Sequence, residues 1–409
     1  MKIESFYVEG LFGCRESINI DFNKNIHVIS GKNGAGKTTI LKLLWYFISG
    51  NLEKALIEVP FQKAILKTNL YIFEVNITNE TTSPFSTKIE YLNPNLINPE
   101  ISNLNPNDIT EHLRYTLTSF VGSSFFFPTF RNIEGGFTTE KYSFKNEIFK
   151  SIFITKNKDI SESNDLKKEL VNISKKLSEH DHKFVTSVSS SHINEFLISK
   201  YAEIMSRLQP YQAKRKELTD KFLKSYTLKT DENGKLEVTF HNEELAIQLR
   251  KSIDEIELES DNIKKPLKNF HDSIRFFLKD YKFHFSNDVK FSKISDYSDE
   301  ENFTLENGIL INLNKHQPTQ FDISLLSAGE KQILTLISYN SFIDDTIFFI
   351  DEPEISLHAD WQRILFRILM KKNPTNQFII TTQSPFIYSK YPKNEICVDP
   401  TSDRGDSEE

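Results

Sequence analysis

The chain has 409 residues, a length for two or three domains, and its 38% apolar and 26% charged content is that of a globular protein rather than a disordered one. A net charge of −7 excludes a uniformly basic nucleic-acid coat and leaves room only for a local basic patch. No apolar run reaches the roughly 18 residues of a membrane span, the first residues lack a signal-peptide core, and Cys14 and Cys397 form neither a zinc set nor a disulfide framework; together these point to the cytoplasm.

In chain order, residues 1–140 alternate short apolar runs with turns. Ile3–Val8, Ile18–Phe22, Asn25–Ile29 and Leu70–Val75 have the β-branched and aromatic content of strands. Thr38–Ile48 has helical spacing, with Ile40, Leu41, Leu44 and Trp45 on one face. The Pro- and Asn-rich stretch 93–107 predicts an irregular loop. From 141 to 304 the pattern is mostly helical and rich in Lys and Glu. Leu166, Leu170, Ile173 and Leu177 form an amphipathic stripe, and helical runs cover Ile193–Lys224 and Glu243–Leu278. Between these runs, Asp231–Gly234 predicts a turn leading into a strand at Lys235–Phe240. The runs are too interrupted for a long coiled coil, and no internal repeat is visible. From 305 the strand–helix alternation resumes, and the polar, acidic segment Pro400–Glu409 reads as disordered. The expected organisation is one α/β head made from both ends, 1–140 and 305–409, with a helical arm, 141–304, inserted between them.

The strongest chemical signal is Gly31-Lys32-Asn33-Gly34-Ala35-Gly36-Lys37-Thr38, a complete G-x-x-x-x-G-K-T between a strand and a helix. Glycines let the backbone curl around phosphates, and the helix start aims unpaired N–H groups at the anion. The expected nucleotide contacts are Gly31, Asn33, Gly34, Ala35, Gly36, Lys37, Thr38 and Thr39, with Lys37 reaching the β- and γ-phosphates and Thr38 on Mg²⁺. A second signal is Thr346–Glu352, four apolar residues followed by Asp351 and Glu352. It predicts a buried central strand that delivers two acids at its C-terminal edge, where open α/β sheets bind ligands. Asp351 is expected on Mg²⁺ and Glu352 as general base.

A third segment, Leu326-Ser327-Ala328-Gly329-Glu330-Lys331-Gln332, precedes a helical run with Ser327 placed as N-cap. It resembles the signature motif of ABC-type ATPases in the Ser-x-Gly-Glu-Lys form of SMC and RecF-like proteins. That resemblance implies that Ser327, Ala328, Gly329 and Glu330 contact the γ-phosphate held by the opposite subunit. Asp351–His358 resembles the Walker B and D-loop of RecF-like and OLD-type heads, with His358 at a dimer contact. Thr381–Pro385 resembles their switch segment, except that Gln383 stands where the family usually carries His. Glutamine can donate a hydrogen bond but cannot carry a proton, so Gln383, the second expected catalytic residue, implies slow turnover. Phe127–Glu134 is similar to a Pro-Thr-aromatic-Arg segment of defence-associated members; it lacks the Gln of a Q-loop, and Arg131 is either a phosphate or partner contact or an ordinary charged strand end. The interval from Lys37 to Ser327 is far longer than in a transporter cassette and typical of SMC-like heads.

The resemblance implies an α/β P-loop ABC-type ATPase head that takes ATP and Mg²⁺ and pairs head to tail as a homodimer or higher oligomer. It also implies control of a separate effector such as a nuclease, in bacterial antiviral defence of the Septu or retron-associated kind. A DNA-repair ATPase and an ATP-gated scaffold that does not hydrolyse are the alternatives. The segment after Ser384 is too short for an appended nuclease domain, and no nuclease motif is visible. His180-Asp181-His182 is expected to be an exposed polar turn rather than a metal site. The lysine clusters at 167–168, 175–176 and 214–216 predict solvated helix faces, with a nucleic-acid contact along the arm left open.

Overall fold

The computed structural model describes residues 1–13, 17–78, 85–92, 117, 122–129, 172, 174–185, 190–230, 236–294, 303–306, 309–312 and 319–398. The expected loop at 93–107, Leu166, Leu170, Ile173, Arg131 and the acidic tail lie outside these residues. The described chain forms two compact units, residues 1–188 with 343–409, and residues 189–342.

The first unit opens with β1 (Ile3–Glu9), β2 (Ile18–Asp21) and β3 (Ile26–Ser30), followed by α1 (Lys37–Ile48) and α2 (Leu52–Glu58). Next come β4 (Lys63–Thr68), β5 (Tyr71–Ile77), β6 (Phe85–Tyr91), β7 (Ser123–Phe127) and β8 (His182–Phe184). Strands β2-β1-β4-β5-β6 make an antiparallel sheet whose residues alternate between buried and solvated faces, as in β4 and β5. The one-sided stripe expected on α1 is too narrow: Leu43, Tyr46, Phe47 and Ile48 are buried along with Ile40, Leu41, Leu44 and Trp45. The reason is that α1 lies between two sheets. On one side Phe47 meets Phe6 and Phe73 of the antiparallel sheet, with ring centroids 6.3 and 5.2 Å apart. On the other, Trp45 meets Phe126 at 5.4 Å. An apolar residue on any side of this helix therefore leaves water, each large one contributing roughly 1.5–3 kcal/mol.

The second unit holds two long helices, α3 (Ser190–Leu223) and α4 (Glu243–Ile274), joined through the hairpin β9 (Tyr226–Thr230) and β10 (Leu236–Phe240). On α3, Ile193, Leu197, Ile204 and Leu208 are buried at helical spacing, and no residue from Gln209 to Leu223 is. Both helices run through a proline, Pro210 and Pro266, as the expected runs Ile193–Lys224 and Glu243–Leu278 do. Arg215–Glu257 at 2.6 Å and Tyr211–Glu259 at 3.1 Å join the pair. The unit continues with β11 (Tyr281–Phe285), β12 (Val289–Lys293), the hairpin β13 (Phe303–Glu306) and β14 (Ile309–Asn312), β15 (Phe321–Asp322) and α5 (Ala328–Phe342). Helix α5 belongs here rather than with the C-terminal lobe, because Tyr339 stacks on Phe196 at 4.3 Å and Phe342 packs against Phe270 at 5.9 Å. The compact division thus falls at 188/189 and 342/343 instead of 140/141 and 304/305.

The chain returns to the first unit with β16 (Thr346–Asp351), α6 (Ala359–Lys372), β17 (Gln377–Thr381), the short α7 (Pro385–Tyr388) and β18 (Glu395–Cys397). Six strands form a parallel sheet in the order β18-β3-β17-β16-β7-β8. All six residues of β16 are buried, as expected of a central strand. This arrangement delivers the C-terminal ends of β3, β7, β16 and β17 to one edge. No helix among the described residues is long and apolar enough to cross a membrane.

Candidate functional site

The turn after β3 is held in shape by its glycines and by Lys37. Gly34 and Gly36 have φ of +85° and +87°, a region that other residues enter only with strain. A Cβ at Gly36 would also stand 3.3 Å from the Phe12 ring. Lys37 is 4% exposed, and its ammonium donates to the carbonyls of Gly31 (2.7 Å) and Lys32 (2.9 Å). Two of its three hydrogens are thereby used to curl the loop around the cation. Ala35 N donates to Lys32 O at 3.2 Å, which closes the turn.

The end of β16 supplies the carboxylates. Asp351 is 3% exposed and accepts three hydroxyl hydrogen bonds. Thr38 (2.8 Å) and Thr381 (2.6 Å) donate to Oδ1, and Thr129 (2.6 Å) donates to Oδ2. Four segments therefore meet on one buried acid, and a hydroxyl stands beside a carboxylate, the oxygen donor set that suits a hard divalent cation. Glu352 follows with φ of +46°, a left-handed conformation rare outside glycine and asparagine, which turns its side chain out of the strand. Its backbone N–H donates to Thr381 O at 3.0 Å. Its Oε1 accepts from the Gln383 amide at 2.9 Å, and the same amide nitrogen also donates to Asn33 Oδ1 in the phosphate-binding turn. A cavity of about 340 Å³ is lined by Phe12, Asn33, Gly34, Gly36, Lys37, Thr38, Thr39 and Glu352. A concave turn with an ammonium at its centre, Glu352 at its wall and Asp351 bonded to the lining Thr38 can hold a polyphosphate with its metal and set a carboxylate near water.

A family profile described as AAA ATPase domain matches residues 1–388. The chain belongs to the AAA ATPase domain family. The DNA replication and repair protein RecF of Clostridium acetobutylicum is 35% identical over 75 residues, 17% of this chain and 20% of RecF. The chain thus matches about a fifth of that relative's length. Among solved structures, it is similar to the Smc head domain with an extended coiled coil from Pyrococcus furiosus, bound to the C-terminal domain of ScpA. Identity there is 13%, coverage 95% of this chain and 91% of that one, and the TM-score 0.40. The SMC head domain from Thermotoga maritima gives 11% identity, coverage of 95% and 92%, and a TM-score of 0.41.

In this AAA ATPase domain protein Gly31, Asn33, Gly34, Ala35, Gly36, Lys37, Thr38, Thr39, Asp351, Glu352 and Gln383 all lie in the first unit, at one sheet edge. Ser327, Ala328, Gly329 and Glu330 open α5 in the second unit. There Ser327 N donates to Glu330 Oε2 at 2.7 Å and Glu330 N to Ser327 Oγ at 3.4 Å, a capping box. The exposed Ser327 hydroxyl and the first turn of a 15-residue helix stand together.

His182 departs from the expected exposed turn. It is 1% exposed in the edge strand β8, with Nδ1 2.8 Å from Ser124 Oγ, and burial lowers its pKa to about 4. His180 and Asp181 occupy the exposed turn as expected, His180 at φ +47°. No cluster of three or more metal-ligating side chains of the His, Cys, Asp and Glu type occurs among the described residues. Sequence reasoning also passed over Phe12, Thr129, Thr381, Glu354 and Gln362. Nothing local in the sequence marks Thr129 or Thr381 as a carboxylate partner; only the strand order brings them to Asp351.

Proposed function

We propose that this protein binds ATP with Mg²⁺ in the cavity at the turn after β3 and hydrolyses it slowly. The carrying observation is the convergence of Thr38, Thr129 and Thr381 on Asp351 beside the buried Lys37. Lys37 and the turn's N–H groups would hold the phosphates, and Thr38 and Asp351 would hold the metal, which when bound supplies charge neutralisation at the phosphates. Glu352 would accept a proton from water, oriented by the Gln383 amide that it already binds. On the resemblance of Ser327–Glu330 to an ABC-type signature segment, and on the exposed, capped helix start that it forms, we assign Ser327 to the nucleotide of a second copy in a head-to-tail homodimer. Control of a separate effector nuclease in antiviral defence rests on the resemblance of the Pro128-Thr129 segment to defence-associated heads.

The test is ATP binding and phosphate release by the wild-type protein and Lys37→Ala. Magnesium-dependent release from the wild type, and binding weakened at least about tenfold in the variant, are expected; a lost charge-assisted contact accounts for that size. No binding by the wild type at millimolar ATP would overturn the assignment. Binding without turnover would select the scaffold reading, which Gln383 favours because an amide carries no proton. Turnover stimulated by DNA would select the repair reading, which the short match to RecF supports.

A further inference from the structure

One side chain links both segments that frame Glu352 and has no part in the chemistry above. Gln362 sits in the first turn of α6, half-buried. Its Nε2 donates to Leu357 O at 2.8 Å and to Glu354 O at 3.3 Å, both in the turn that follows Glu352. Its Oε1 accepts from Ser384 Oγ at 2.6 Å, in the segment after β17. The amide's orientation is fixed by chemistry: backbone carbonyls only accept, so the NH₂ end must face them and leave the oxygen for the hydroxyl.

The bonds close into a ring. Gln383 N donates to Glu354 Oε1 at 2.8 Å, Gln383 Nε2 donates to Glu352 Oε1 at 2.9 Å, and Ser384, next to it, is tied to Gln362. The 352–357 turn is strained at two points, Glu352 (φ +46°) and Ser356 (φ +72°), neither of them glycine. Such a turn keeps its shape only when its surroundings over-determine it. Gln362 supplies two donors to that end. Burial raises the pKa of Glu354, whose Oε2 is buried away from water.

We propose that Gln362 is a positioning residue: it locks the turn after β16 to the segment after β17 and so sets the Gln383 amide against Glu352. The proposal rests on the ATPase reading for its kinetic consequence and on the hydrogen-bond ring for its structural one.

The experiment therefore has two arms, on the full chain. In single-turnover assays Gln362→Leu should slow hydrolysis about tenfold, the worth of one or two lost hydrogen bonds, with ATP affinity unchanged. In a Gln383→Ala background the same substitution should have no further effect. In amide hydrogen exchange, the peptide carrying Gln383 and Phe386 should exchange about tenfold faster in Gln362→Leu, while the phosphate-binding turn is unaltered. Ser384→Ala breaks the ring from its other end and should reproduce both effects, and Ser384→Thr, which keeps the hydroxyl, should show neither. An equal loss in the Gln383→Ala background, or unchanged exchange at Gln383, would overturn the proposal. Absence of turnover in the wild type would refute the ATPase reading alone, and the exchange arm would then decide the role of Gln362.

Discussion

The Gln383 side-chain amide donates to Glu352 Oε1 at 2.9 Å while its nitrogen also reaches Asn33, so one amide spans the phosphate-binding turn and the carboxylate after β16. An amide donor leaves Glu352 an acceptor. If Glu352 is the general base, Glu352→Gln should lower turnover by about 10²- to 10⁴-fold with ATP binding retained. Steady-state phosphate release checks the first part and equilibrium titration the second; unchanged release would refute the role.

The absent imidazole makes a second prediction. Gln383→His places a group that can exchange a proton at the same position. Turnover should rise above wild type, with affinity for ATP little changed. Equal rates for the two proteins would show that Gln383 does not limit hydrolysis.

A composite site can be tested by mixing. Lys37→Ala disables the subunit's own phosphate site, and Ser327→Arg blocks the site it is assigned to complete. Each homodimer would then have two defective sites. In a mixed dimer one site joins both lesions and the other is intact. Random exchange makes about half the dimers mixed, so roughly a quarter of wild-type sites should return. No recovery of nucleotide binding or turnover, with exchange shown by subunit labelling, would argue against head-to-tail pairing.

Acid sensitivity follows from His182. Burial lowers its pKa from 6.5 to about 4, and burial likewise lowers that of His27 to about 4. The folded state binds fewer protons than the unfolded chain between these values, so stability is full above about pH 6.5 and falls as pH drops toward 4. For His182 the loss is on the order of 3 kcal/mol across that window. Urea unfolding at pH 7 and pH 4.5 should show it, and His182→Asn should flatten the slope. An unchanged slope in the variant would remove His182 from the account.

The site was legible where its chemistry is local. The G-x-x-x-x-G-K-T turn, the acids after a run of buried residues and the Ser327–Glu330 cap each depend on residues a few positions apart, and each occupies the local setting its pattern implied. What sequence could not show was convergence. Thr129 and Gln362 act through partners hundreds of positions or one crossover away, placed by the strand order rather than by spacing. The all-round burial of α1 was hidden for the same reason, since a stripe of apolar residues does not say how many sheets will cover it. His182 failed because a polar tripeptide next to a three-residue edge strand has no periodicity to reveal that one of its members faces the core.

Helix α1 begins at the phosphate-binding turn and forms the wall shared by both sheets. Loosening that turn is therefore coupled to the melting of two hydrophobic layers at once. A ligand seated there would act as a clamp on cooperative unfolding: occupancy at a hundred times Kd adds about 2.7 kcal/mol to the folded state. Strands β4 to β6 line no part of the cavity, yet they would share that protection, so the opening of β5 would report on whether the distant turn is filled.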